Sequence, residues 1–187
     1  MTPFETVVKG ESNRIYQVLV AYLECPPVKA YSADMTDTIR ILVDSDACPV
    51  REEVYKVADR HQVPVVIVAN SYMRIPKDPL VSQVVVTDKF DAADDWIAEQ
   101  AGPSTVVVTS DILLAERCVK VKAVVLAPTG KPFTEDSIGM SVATRAIMAD
   151  LRSGVGQTSG PAPFTNADRS NFLSALHSAL VRLKRNP

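Results

Sequence analysis

Three absences narrow the classes of protein to which this chain can belong. Its three cysteines form no CxxC pair and have no histidine at zinc-ligand spacing, which argues against a structural zinc site. Only two histidines are present, so histidine-based hydrolysis is disfavoured. No apolar run approaches the length of a membrane span, and the first residues lack the basic and apolar regions of a signal peptide. We therefore expect a cytoplasmic protein with no membrane partner.

The chain also lacks an excess of charge of either sign. Its 187 residues include 20 Lys and Arg against 22 Asp and Glu, a formal net charge of −2 at pH 7. No global field would draw nucleic acid to it, so a polyanion would need a local basic patch or a bound metal. Hydrophobic residues make up 47% and charged residues 22%, as in a globular protein with a sizeable core.

Segments of strand and helix character alternate from Ile39 onward. Apolar runs at 40–44 and 63–69 are typical of buried strands, and 49–61 has helical spacing. Such alternation with short connections predicts an α/β three-layer sandwich, in which helices flank a mostly parallel central sheet and further helices end the chain. We expect residues 1–38 to form a helix and linker and 39–187 to form this domain. Further strands are predicted at 81–86, 105–109 and 123–126, with helices after Asp91, after Asp111, at 134–151, and after a cap at Thr165 or Asn166.

Carboxylates recur where the predicted strands end. Asp44 and Asp46 follow the first strand and Asp111 the fourth, while Asp94 and Asp95 lie in the first turn of the second helix. Because the carboxyl ends of parallel strands meet at one edge of a sheet, these groups should converge. Two carboxylates ~4 Å apart repel by about 4 kcal/mol at an effective dielectric near 20, so the cluster needs protons or a cation. Oxygen-only ligands favour Mg²⁺ or Mn²⁺. We predict metal ligands at Asp44, Asp46, Asp94 and Asp111, and catalytic roles for these four and for Asp95.

These carboxylates also have structural alternatives that the sequence leaves open. Asp91 and Asp94 have capping-box spacing, so Asp91 could cap the second helix while Asp94 complements its dipole. Asp111 could cap the helix that follows it, and Asp46 could begin the first helix. Adjacent helical residues diverge by about 100°, so only one of Asp94 and Asp95 can face the cluster.

Polar and positively charged residues are predicted at the same edge. Asn70 and Arg74 lie in the loop after the second strand, and Lys131 follows the fifth, so we assign these three to substrate binding. Cys48 precedes Pro49 at a helix start, a position that can activate a thiol. It has no general base within plausible reach, so we expect it to be a packed side chain.

Several short motifs occur in an order that is typical of one bacterial family. They are VDSDACP from Val43, AN at Ala69 followed by RIP at Arg74, FDAADD from Phe90, TSDILLA from Thr109, and the later GPAPF and DR. In these motifs the chain resembles the YaiI/YqxD family of uncharacterised proteins, which is grouped with PIN-like domains. The resemblance implies a PIN-like fold and, as in active members, an acidic cluster that binds Mg²⁺ or Mn²⁺ for RNA cleavage. Matched by motif, that cluster falls on Asp44, Asp46, one of Asp94 or Asp95, and Asp111. The chain has Asp-Ser-Asp where Asp-Ala-Asp is usual, and Thr-Gly-Lys at 129–131 where an Arg-Gly pair is expected, and neither change removes a carboxylate.

Three functional hypotheses follow. The first is a metal-dependent phosphodiesterase that acts on RNA or another phosphodiester through the carboxylate cluster. The second is an aspartyl-phosphate phosphatase with Asp44 as nucleophile and Asp46 as general acid, although the acidic pair at 94–95 precedes the Ser-Asp at 110–111, the reverse of the order that this mechanism predicts. The third is a non-catalytic, metal-dependent module that binds RNA or a nucleotide.

Overall fold

A computed structural model of the protein describes residues 38–45, 48–86, 91–154 and 164–185. The helix and linker predicted for residues 1–38 lie outside these ranges except for residue 38, and Asp46 lies outside them too. Within them the chain forms six strands, β1 (Arg40–Asp44), β2 (Val65–Ala69), β3 (Val81–Val85), β4 (Thr105–Val108), β5 (Val124–Leu126) and β6 (Pro132–Phe133). The helices of the same ranges are α1 (Arg51–His61), α2 (Ala92–Gln100), α3 (Ile112–Lys120), α4 (Glu135–Gly154) and α5 (Asn166–Arg185).

The strands form one sheet in the order β3-β2-β1-β4-β5-β6. The first five are parallel to their neighbours, and β6 is antiparallel to β5. From β1 the chain moves outward to β2 and β3, then crosses to β4 on the other side of β1. A crevice therefore opens between the carboxyl ends of β1 and β4, where ligands bind in open parallel sheets. The predicted α/β three-layer architecture is confirmed.

The alternation of side chains along β1 decides which layer each residue faces. Ile41 and Val43 pack in one core layer with α1 and α5, whereas Leu42 packs in the other with α2, α3 and α4. The strand is apolar on both faces because helices cover both sides of the sheet. Since side chains two apart share a direction, Asp44 faces the same layer as Leu42. The fold thus directs Asp44 towards α2 and α3.

The predicted element boundaries agree with the structure to within three residues. The exception is β6, which no periodicity predicts because it has only two residues. It is formed by a tight turn, in which Ala127 N donates to Lys131 O at 2.9 Å and Gly130 N donates to Ala127 O at 2.8 Å. At the start of α5, Thr165 is the cap, since its Oγ1 accepts from Asp168 N at 3.2 Å. No described helix has the length and apolar character needed to cross a membrane.

A partly buried ion pair connects α5 to α1. Arg169 Nη1 donates to Glu53 Oε1 at 2.9 Å and to Pro49 O at 3.3 Å, and its guanidinium lies 5.2 Å from the centre of the Phe164 ring. Glu53 is only 6% exposed, and its Oε2 has no hydrogen-bond partner among the described residues. Arg169 is therefore the main compensation for this buried negative charge.

Replacing Arg169 by alanine should lower the free energy of unfolding by about 1–3 kcal/mol, because it leaves the Glu53 carboxylate buried without a cation. The loss should be smaller than for a fully enclosed pair, since the Arg169 side chain is 40% exposed. Urea denaturation measures the change. The double variant Glu53→Gln/Arg169→Ala should recover part of the loss, since a neutral amide costs less to bury than a charge. An equal loss in both variants would contradict a charge-based explanation.

Candidate functional site

One buried hydroxyl links the ends of β1 and β4. Thr109 follows β4 and is fully buried, and its Oγ1 donates a hydrogen bond to Asp44 Oδ2 at 2.7 Å. The same Oγ1 accepts a hydrogen bond from Asp111 N at 2.9 Å. Asp44 itself is 6% exposed. Thr109 thus fixes the Asp44 carboxylate in the crevice and holds the start of the β4–α3 connection beside it.

Asp111 caps a helix with one oxygen and leaves the other available to a ligand. Its Oδ1 accepts hydrogen bonds from the backbone N–H groups of Leu113 and Leu114 at 2.7 and 3.4 Å. Arg145, which comes from α4, donates to the same oxygen at 3.2 Å. No described residue forms a hydrogen bond with Oδ2. The capping role and the ligand role that the sequence left as alternatives are therefore compatible.

Of the two adjacent carboxylates on α2, Asp94 interacts with the crevice and Asp95 does not. Burial, followed by the negative charges of Asp44 and Asp111, raises the pKa of Asp94 from its ordinary value of 3.8 to about 6. Asp95 instead forms an exposed ion pair with Arg117 of α3 at 2.8 Å. Asp94 thus lies within electrostatic range of Asp44 and Asp111, whereas Asp95 pairs with Arg117.

Asp91 stands at the N-cap position of α2, but it does not cap the helix with its side chain. Its backbone is left-handed, with φ of 59°, and no capping hydrogen bond forms. Aspartate tolerates this conformation better than most residues do. The capping box suggested by the spacing of Asp91 and Asp94 is therefore wrong. Asp91 instead adds a further negative charge that acts on Asp94.

The predicted substrate-binding residues are all exposed, and they lie at different places around the crevice. Asn70 directly follows β2, and Lys131 lies between β5 and β6, so both project from the same edge of the sheet as Asp44. Arg74 lies farther along the β2–β3 loop, beside the start of α1. Cys48 is 7% exposed, and burial raises the pKa of its thiol to about 11, so it is a packed, protonated side chain as predicted.

The chemistry of the carboxylate group fits a hard divalent cation. Asp44, Asp94 and Asp111 offer only oxygen atoms, which Mg²⁺ and Mn²⁺ prefer. In the part of the chain that the structure describes, no three acidic, histidine or cysteine side chains are arranged so that together they could hold a metal ion. Mg²⁺ does not need such a group, since it usually binds through one or two carboxylates and keeps several waters. A divalent ion at these carboxylates would have to be held partly through water.

Two members of this network were not predicted as site residues. Thr109 had a recognisable signal, because a hydroxyl that ends a buried strand next to an Asp-containing turn is well placed to orient a carboxylate. Arg145 had none. Its contact with Asp111 depends on how α4 packs against α3, and a local sequence pattern does not encode that packing.

Comparison with known proteins identifies the family. A family model described as "Uncharacterized BCR, YaiI/YqxD family" matches residues 42–182. The chain is 62% identical over 146 residues to a UPF0178 protein of Sphingopyxis alaskensis, covering 78% of this chain and 95% of that protein. It is 59% identical over 152 residues to a UPF0178 protein of Bradyrhizobium diazoefficiens, covering 81% and 91%. No solved structure gives a significant match. The protein belongs to the YaiI/YqxD family.

Proposed function

We propose that this protein is a Mg²⁺- or Mn²⁺-dependent phosphodiesterase that cleaves RNA. The observation that carries the proposal is that Thr109 links Asp44 to Asp111 at the ends of β1 and β4, and that both charges act on Asp94 of α2. Mutual repulsion makes such a group costly unless a cation or a proton neutralises it. The resemblance to PIN-like domains, whose acidic clusters hold a metal for RNA cleavage, supports RNA as the substrate.

Each carboxylate has a distinct part in this proposal. Asp44, oriented by Thr109, and Asp111, whose Oδ1 caps α3, would hold the ion. When bound, a divalent ion supplies Lewis-acid activation of water and stabilises the charge that develops on the phosphate. Asp94 would hold the ion through water or orient the attacking water.

Cleavage of a single-stranded RNA oligonucleotide in the presence of Mn²⁺ tests the proposal. The wild-type protein should cleave it, EDTA should stop the reaction, and Asp44→Asn should lower the rate at least about 100-fold, because the fixed ligand loses its charge. The matched control is Asp95→Asn, which removes a neighbouring carboxylate that faces Arg117 and should leave the rate close to that of the wild type.

Two outcomes would count against this function. Equal cleavage by the wild type and Asp44→Asn would identify a contaminating nuclease and remove the assignment. Retention of RNA in the presence of Mg²⁺, without turnover of several substrates, would favour the non-catalytic binding module instead.

A further inference from the structure

We propose that a pocket on the α1 side of the crevice binds a phosphate group of the RNA next to the one that is cleaved. Arg51, Tyr55 and Arg74 line this pocket, with Cys48 beside them, and its volume is about 200 Å³. It lies where α1 begins, and the β2–β3 loop that carries Arg74 passes over it. The inference rests on the proposed function, to which it adds a contact that selects a phosphate-bearing strand.

The two arginines of the pocket have no carboxylate partner among the described residues. Arg51 Nη1 lies 2.7 Å from Met73 Sδ, a thioether, which is a weak acceptor for a guanidinium. Arg74 is exposed and forms no hydrogen bond or ion pair within the described ranges. By contrast, three other arginines each pair with a carboxylate at 2.8–3.2 Å: Arg117, Arg145 and Arg169. Arg51 and Arg74 therefore keep their donors for a ligand.

Met73 connects the pocket to the carboxylate group. Its Sδ accepts a hydrogen bond from Ser45 Oγ at 3.2 Å as well as the contact from Arg51 Nη1. Ser45 directly follows Asp44, so only the Met73 thioether separates the Arg51 guanidinium from the end of β1. Asp44 and Arg51 thus lie on two sides of the end of β1, and we place the scissile phosphate at the first and a neighbouring phosphate at the second.

The other groups of the pocket also suit an anion. Burial raises the pKa of Tyr55, so its hydroxyl stays protonated and can donate a hydrogen bond. Val50, at the N-cap position of α1, forms no side-chain capping hydrogen bond, and the positive end of the helix dipole lies at this point, where Glu52 and Glu53 partly offset it. Glu52 also lines the pocket but forms no ion pair with Arg51 or Arg74 in the described ranges. The pocket is therefore a local basic site on a protein whose net charge is negative.

The test measures binding of a five-nucleotide oligouridylate to ¹⁵N-labelled full-length protein in EDTA, where metal and turnover play no part. The backbone amides of Arg51, Tyr55 and Arg74 should shift during the titration. Arg51→Gln and Arg74→Gln should each raise the dissociation constant about tenfold, because each removes a charge-assisted hydrogen bond to phosphate. The matched control is Arg60→Gln, which removes the same charge from the last turn of α1 and should change binding less than about twofold.

The outcomes separate this proposal from the function on which it rests. Unshifted amides at Arg51 and Arg74, or equal effects of Arg51→Gln and Arg60→Gln, would overturn the subsite even if the protein cleaves RNA in Mn²⁺. Binding at the pocket without cleavage in Mn²⁺ would overturn the phosphodiesterase and leave the subsite standing. The unliganded amide spectrum of each variant verifies that it is folded, so a weak binder cannot be mistaken for an unfolded one.

Discussion

Replacing Gly130 by alanine should lower the free energy of unfolding by about 2–4 kcal/mol, because two separate costs meet at this position. Its φ of +85° lies in the left-handed region, which side chains other than glycine rarely adopt. An added Cβ would also lie 2.6 Å from Asn171 C and 2.7 Å from Phe172 N. These are backbone atoms of α5 and cannot rotate away as the end of a flexible side chain can. Either α5 or the turn that carries Lys131 must therefore shift.

The sequence offers a matched control for this substitution at Gly139. It lies inside α4, and an added Cβ there would meet nothing within 4 Å. Gly139→Ala should therefore stabilise the protein by up to about 1 kcal/mol, since alanine is the better helix former. Urea denaturation followed by far-ultraviolet circular dichroism compares the two variants. Equal stabilities would show that α5 does not pack against the β5–β6 turn as described.

The packing around Gly130 is one part of the fold that could not be predicted from sequence. The strands β1, β2 and β4 were predictable, because helices on both sides of the sheet require uninterrupted apolar runs. The close approach of Gly130 to Asn171 depends on the path of α5, which no local pattern around either residue encodes. The short strand β6 was missed for the same reason, since its pairing comes from the turn and not from periodicity.

One part of the candidate site could likewise be predicted from the sequence, and another part depends on tertiary packing. The meeting of Asp44 and Asp111 follows from strand ends alone, because parallel strands bring their carboxyl ends to one edge. Which of Asp94 and Asp95 would face that edge could not be decided, since it depends on how α2 is rotated about its axis. In the structure Ala93 and Ile97 pack in the core, and this orientation of α2 places Asp95 against Arg117.

Replacing Asp94 by asparagine should raise stability and reduce cleavage at the same time. The shift of its pKa from 3.8 to about 6 means that the folded state binds the proton more tightly than the unfolded state. The free energy of unfolding should therefore fall as the pH rises from about 4 to about 6, and it should stay reduced above that range. A shift of this size corresponds to about 3 kcal/mol, which we discount to about 1–2 kcal/mol because Asp94 is partly exposed and screened by solvent.

Asp94→Asn removes this penalty, so in EDTA at pH 7.5 the variant should be about 1–2 kcal/mol more stable than the wild type. Its free energy of unfolding should also no longer fall between pH 4 and 6.

Added Mg²⁺ should stabilise the wild type more than the variant, because a ligand that binds only the folded state shifts the unfolding equilibrium. Cleavage of RNA should fall about 100-fold with the lost carboxylate. Asp95→Asn is the control, and it should keep the fall in stability between pH 4 and 6, since it leaves Asp94, Asp44 and Asp111 in place. If Asp94→Asn proved less stable than the wild type in EDTA, the Asp94 carboxylate would not destabilise the metal-free protein. Repulsion between Asp94, Asp44 and Asp111 would then not favour a bound cation.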